Sequence, residues 1–104
     1  MKSAIIYTTV PNLKEAKSIC KVLVKERLVA CANIFPINSV YRWKGRIEQA
    51  KECAIVLKTR SNLVKSVINR VKGLHSYECP CILSFDIKDG NKAFLKWVEK
   101  ETQV

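Results

Sequence analysis

From Ala30 to Thr59 the sequence carries strand patterning and no helical period, with one turn signal, Lys44-Gly45, near its middle. Two β-patterned runs joined by so short a turn read as a hairpin. Pro36 falls inside the first run, which marks a bulge or an edge strand. Cys53, Ile55 and Leu57 share one face of the second run, and Ala54 and Val56 share the other. A long central hairpin whose return strand is apolar on both sides leaves few folds open.

The flanks narrow the choice. Ala4-Ile5-Ile6-Tyr7-Thr8-Thr9 is a short, β-branched, buried-type strand that Pro11 ends. Asn12 then caps a helix, with Glu15 placed to complete a capping box. Leu13, Ala16, Ile19, Cys20, Leu23 and Val24 form its apolar face, and Lys14, Lys17, Ser18, Lys21 and Lys25 its polar face. After the hairpin, Ser61 can cap a second helix with Val67, Ile68, Val71 and Leu74 at helical spacing, loosened at its end by Gly73. Ile82 to Ile87 alternates as a last strand, with Leu83, Phe85 and Ile87 on one face. Asp89-Gly90 turns, and Asn91 caps a third helix carrying Ala93, Phe94, Trp97 and Val98. The order strand, helix, strand, strand, helix, strand, helix predicts an α+β fold: a ferredoxin-like split βαβ sandwich with an antiparallel sheet and an added C-terminal helix. A chain of 104 residues makes one such domain, 1–104.

This fold leaves apolar surface uncovered. Two crossover helices hide one sheet face, and one short terminal helix cannot hide the other. Bare sheet edges and faces are normally covered. The sequence therefore predicts a homo-oligomer in which the hairpin reaches onto a neighbour. Tyr41 and Trp43, near the hairpin tip, are expected interface anchors, since aromatic residues and Arg lead at such positions. The same Tyr41-Arg42-Trp43-Lys44 run could stack nucleic-acid bases. The charge, +10 from 19 basic and 9 acidic residues, favours anions in general. Yet the lysines are spread over the solvent faces of helices and strands, with no long basic block and no groove-reading motif, so nucleic acid is not the expected partner. No apolar run has the length of a membrane span, and the start of the chain lacks a signal-peptide layout, so a cytoplasmic setting is expected. The cysteines, Cys20, Cys31, Cys53, Cys79 and Cys81, are odd in number and include no C-x-x-C pair. They read as reduced thiols rather than a disulfide framework or a paired zinc site.

The stretch His75-Ser76-Tyr77-Glu78-Cys79-Pro80-Cys81 concentrates the chemistry: the only histidine, two thiols and a carboxylate. Thiolate and imidazole suit copper, thiolate above all as copper(I). In an extended chain Cys79 and Cys81 would point to opposite faces, and Cys81 shares parity with Leu83 and Phe85, which predicts burial. A joint site needs a turn at Pro80 or ligands from another subunit. His75 reads equally as a helix C-terminal residue favoured by the dipole. Glu78 is a weak ligand or a lysine's partner. His75 and Cys79 could form a base–nucleophile pair, but there is no Gly-rich phosphate loop, carboxylate dyad or oxyanion signature, and no enzyme is expected.

Taken together, these segments resemble the CutA family, the divalent-cation tolerance proteins. The resemblance runs through Tyr7-Thr8-Thr9-Val10-Pro11, Ala30-Cys31-Ala32-Asn33-Ile34, Ser39 to Glu48, Lys58-Thr59-Arg60, His75 to Pro80, Gly90-Asn91 and Trp97. It implies a ferredoxin-like subunit in a homotrimer and a cytoplasmic role in tolerance of divalent metal, copper above all. The metal site it implies lies at a subunit boundary, with His75, Cys31 and Glu78 as the candidate ligands. Likeness to the PII signalling proteins in shape implies an alternative: a trimeric signalling scaffold binding a small molecule or protein partner in inter-subunit clefts. Where the family usually has His-Pro-Tyr-Glu this chain has His75-Ser76-Tyr77-Glu78, and where it usually has glutamate after the later proline this chain has Cys81.

Overall fold

The computed structural model describes residues 2–103. Its elements are β1 (Ser3–Val10), α1 (Leu13–Lys25), β2 (Cys31–Trp43), β3 (Arg46–Arg60), α2 (Val64–Leu74), β4 (Ile82–Asp86) and α3 (Lys92–Glu101). The sheet order is β2-β3-β1-β4, with every pairing antiparallel. This is the expected ferredoxin-like sandwich with an added helix. Pro36 sits in register opposite Cys53 without interrupting β2. It is tolerated because β2 is an edge strand.

The hairpin turns at Lys44-Gly45, where both residues have positive φ, 50° and 77°. Positive φ at both central positions is the geometry whose twist matches paired strands. β1 stops at Val10, opposite Cys53. From Ile37↔Glu52 to Trp43↔Arg46 the hairpin therefore runs on as a two-stranded ribbon. The molecule is 44 Å long by 25 Å and 21 Å as a result.

The register assigns the faces. Ala4, Ile6, Thr8 and Val10 lie beside Thr59, Leu57, Ile55 and Cys53 on the helix-covered face. There Ile6, Val10, Ile55 and Leu57 pack with Ala16, Ile19 and Leu23 of α1 and Val67 and Val71 of α2. The opposite face carries Ile5 and Tyr7 of β1, Lys58 and Val56 of β3, and Phe85 and Leu83 of β4. Among the described residues only α3 lies over it, at the end near Arg60. Leu83 and Phe85 stay 51% and 54% exposed, and Val40 and Ile47 on the ribbon 68% and 67%. The predicted surplus of apolar surface is present in the single chain.

Two arginines fasten α3 through its C-terminal carbonyls. Arg60, buried, donates from Nε to Thr102 Oγ1 (2.8 Å) and from Nη2 to the Glu99 carbonyl (2.5 Å). Arg27 donates to the carbonyls of Glu101 (3.2 Å) and Lys100 (2.8 Å). Cations at that end also suit the helix dipole. Arg27 occupies the left-handed region (φ 60°) where α1 ends. There the Arg27 N–H reaches the Val24 carbonyl and the Leu28 N–H the Leu23 carbonyl, a Schellman closure that ordinarily uses glycine. The strain of arginine there is offset by its hold on α3.

The Asn12 cap forms as expected but without its box, and the Ser61 cap does not form. Asn12 accepts from the Glu15 N–H (2.9 Å), but the Glu15 carboxylate turns away to the Ser76 N–H (3.0 Å) instead of closing a box. Ser61 caps nothing: a 3-10 turn, Ser61–Leu63, precedes α2, and the Ser61 hydroxyl is buried without a partner.

Arg27 separates strain from contact. Arg27→Gly removes both, whereas Arg27→Ala keeps the strain and loses the hydrogen bonds. In urea unfolding at one fixed protein concentration, Arg27→Ala should be less stable than Arg27→Gly by about 1 kcal/mol. Equal stabilities would contradict this role for the left-handed residue.

Candidate functional site

The loop from α2 to β4 and the foot of the ribbon enclose one open groove of about 770 Å3. Tyr7 and Thr9 supply its floor from the end of β1, Ile37 to Tyr41 and Trp43 its ribbon wall, and Tyr77, Glu78, Cys79 and Cys81 its loop wall. Glu52, just past the point where β1 stops, faces the loop across it.

His75 holds that loop in place. Its ring is fully buried, with Nε2 2.7 Å from the Thr9 carbonyl. A carbonyl only accepts, so Nε2 carries the proton and donates. Nδ1 is then the acceptor, and it takes the Tyr77 N–H at 3.0 Å. Both nitrogens of the neutral ring are spoken for, and a metal on His75 would have to displace one of these bonds. The Glu15 carboxylate lies 3.8 Å from Nδ1 and accepts from the next residue's N–H, pinning the loop from the α1 side. His75 does cap α2, its own N–H reaching the Val71 carbonyl.

Tyr77 then bridges the groove. Its phenol donates to Glu52 Oε2 at 2.6 Å, a short bond of the charge-assisted kind. Burial, followed by the Glu52 carboxylate, pushes the Tyr77 hydroxyl well above the usual phenol range. Burial and then Glu52 also raise the Cys81 thiol.

The sequence-predicted residues separate. His75 and Glu78 share the loop, but the His75 ring is buried while Glu78 lines the groove. Cys31 lies elsewhere: it pairs with Lys58 at the start of β2, four positions along β3 from Ala54, the partner of Thr9. One chain does not bring Cys31 to His75. Among the described residues no three His, Cys, Asp or Glu side chains gather as a metal set. Cys79 and Cys81 are exposed, against the burial expected of Cys81. The parity with Leu83 and Phe85 holds, but that whole face is bare in one chain. Tyr41 and Trp43 are half exposed on the ribbon, where Lys44 Nζ lies 5.8 Å from the Trp43 ring centre. Glu52 was missed in the sequence because it reads as one more charged residue at the edge of the apolar run of β3; only the folding of the α2–β4 loop against the ribbon brings Tyr77 to it.

Comparison with known proteins is consistent throughout. A family described as "CutA1 divalent ion tolerance protein" matches residues 4–101. The divalent-cation tolerance protein CutA of Archaeoglobus fulgidus is 46% identical over 98 residues, covering 94% of this chain and 96% of its own. Human Protein CutA is 39% identical over 98 residues, covering 93% of this chain and 55% of its own. A solved structure of the Archaeoglobus protein, described as periplasmic, superimposes with a TM-score of 0.95 at 44% identity over 97% of this chain and 99% of that one. CutA1 from Oryza sativa gives 0.96 at 36% identity over 99% and 95%.

The Tyr77–Glu52 bond predicts a pH dependence. The folded-state pKa of Tyr77 is raised, so its contribution is complete below the ordinary phenol pKa of about 10 and is lost as pH climbs beyond it. Tyr77→Phe should lower stability by about 1–2 kcal/mol at pH 7 and flatten the alkaline fall. Parallel parent and variant curves of stability against pH would contradict the assignment.

Proposed function

The chain belongs to the CutA divalent ion tolerance family, and from that premise we propose that it works as a homotrimer that binds divalent metal, copper foremost, or signals its presence, without chemical turnover. The observation that carries the assembly is uncovered apolar surface: Leu83 and Phe85 on the bare second face, and Val40 and Ile47 on the other side of the two-stranded ribbon, are each more than half exposed. Burying Leu83 and Phe85 fully would contribute roughly 1 kcal/mol each, about half the value of a large apolar side chain. The ribbon reaches onto a neighbouring copy, with Tyr41 and Trp43 as anchors.

The metal is handled at the boundary that results. Glu78 reaches it from the groove, Cys31 comes from another copy, and His75 sets the loop that carries Glu78. His75 joins the ligand set only by releasing the Tyr77 N–H or the Thr9 carbonyl. The cytoplasm, where exposed thiols such as Cys79 and Cys81 stay reduced, is the setting this reading favours. No helix among the described residues is long and apolar enough to cross a membrane. The groove itself supports the second reading, a scaffold taking a small molecule or protein partner in the inter-subunit clefts, because it is open, largely apolar and rimmed by a few polar groups.

Native mass spectrometry tests both parts. The parent should run as a trimer and take up about three divalent copper ions, and Glu78→Gln should remain trimeric with reduced uptake. Leu83→Asp combined with Phe85→Asp should shift the mass to the monomer. A parent that is monomeric at micromolar concentration would sink the assembly, and a trimer indifferent to divalent copper would turn the reading to the scaffold.

A further inference from the structure

We propose that the outer face of α1 is a docking surface for an anionic lipid membrane, held through the lysine row Lys14, Lys21 and Lys25. The inference goes beyond the reading above and does not rest on it. The proposed trimer uses the second sheet face and the ribbon, so the helix layer stays open in it.

The helical period sorts the charges of α1 into rows. Ala16, Ile19, Cys20 and Leu23 are buried against the sheet. Lys14, Lys21 and Lys25, at helical spacing, form a row on the opposite side, and all three are exposed. Leu13, Lys17 and Val24 form the next row, with Leu13 and Val24 49% and 43% exposed. The two acids, Glu15 and Glu26, lie on the other flank, toward α2, and both are engaged. Glu26 accepts two bonds from Arg70, at 2.9 and 2.8 Å, and Glu15 accepts from the Ser76 N–H. Among the described residues no ion pair involves a lysine. Lys65 and Lys72, both exposed, add charge from the outer side of α2, away from buried Val67 and Val71.

Such a row costs helix stability when it stands alone, because like charges three and four residues apart repel. Lys14, Lys17, Lys21 and Lys25 repeat that spacing over about 16 Å of helix. On α3, by contrast, Glu99 and Glu101 accompany Lys92, Lys96 and Lys100. The chemistry of the face selects a lipid headgroup layer as the occupant. Its donors are all lysine, point charges without the planar fork with which arginine reads phosphate or guanine. The face is convex, and lipid anions diffuse to meet it, whereas duplex phosphates are fixed in place. Leu13 and Val24 beside the lysines gain by entering the headgroup boundary, which phosphates alone would not offer. Two partly exposed aliphatic side chains are too few to insert deeply, so the contact is reversible and mainly electrostatic.

The test is co-sedimentation of the full-length protein with phosphatidylcholine vesicles containing about 30% phosphatidylserine, and with vesicles of phosphatidylcholine alone. The parent should sediment only with the anionic vesicles and should be released as salt rises. A lysine close to an anionic leaflet strengthens partitioning about fivefold. Lys14→Gln, Lys21→Gln and Lys25→Gln combined should therefore weaken it about a hundredfold. Glutamine is also a good helix former, so this variant should keep the parent's oligomeric mass. The same three positions changed to Arg should retain binding. Lys92→Gln, Lys96→Gln and Lys100→Gln combined removes equal charge from α3 and should cost less than about fivefold. No sedimentation of the parent with anionic vesicles, or equal losses in the two glutamine variants, overturns the proposal. Tighter binding of the parent to a mixed-sequence DNA duplex than to the vesicles in the same buffer also overturns it and gives the row to nucleic acid.

Discussion

Strand β3 is apolar on both faces, and only one of them has helices enough to cover it. Cys53, Ile55 and Leu57 lie under α1 and α2, while Ala54 and Val56 face the side that only α3 partly shields. Most of the architecture answers this imbalance. α3 is drawn across one end of the second face and fixed there by Arg60 and Arg27 through carbonyls that a helix end leaves free. The remainder of that face, with Leu83 and Phe85, stays bare in one chain, and it is the surface that the proposed trimer would cover. The ribbon belongs to the same problem, since two strands alone are marginal in water and gain stability only by pairing or packing.

The groove follows from where β1 ends. Because β1 stops opposite Cys53, the ribbon leaves the sheet at Glu52, and the loop after α2 closes against the gap. A short relay of hydrogen bonds fixes that closure: the Thr9 carbonyl to the His75 ring, the ring to the Tyr77 N–H, and the Tyr77 hydroxyl to Glu52. Histidine suits this post because its neutral ring offers one donor and one acceptor on opposite sides. The residues left free to meet a ligand are those the relay presents: Glu78, Cys79 and Cys81. The histidine that most resembles a metal ligand in the sequence acts in the folded chain as the support of the loop that carries Glu78.

The sequence was most legible where periodicity had one solution. The two strand faces of β3, the apolar stripes of α1 and α2, and the Lys44-Gly45 turn follow directly from side-chain alternation and turn chemistry. What was not legible depends on contacts between distant residues. Nothing local says that the Glu15 carboxylate serves Ser76, 61 residues away, instead of its own helix start. An arginine at 27 gives no sign that it ends a helix in the left-handed region, because the compensating carbonyls lie on α3. The burial expected of Cys81 failed for a related reason: parity identifies the face, but a single chain does not supply what covers it. Cys79 and Cys81 share a groove because the bend before Pro80 breaks the period on which the opposite-face expectation rested.

Hydrogen exchange along the ribbon is the most direct test that the bare face is an interface. Amides on the outward edges of β4 and of residues 46–52, which pair with nothing in one chain, should be protected at concentrations where copies associate and should exchange freely on dilution below that point. Exchange of these edges at the rate of open chain at every concentration, with the α1–α2 core still protected, would contradict the account.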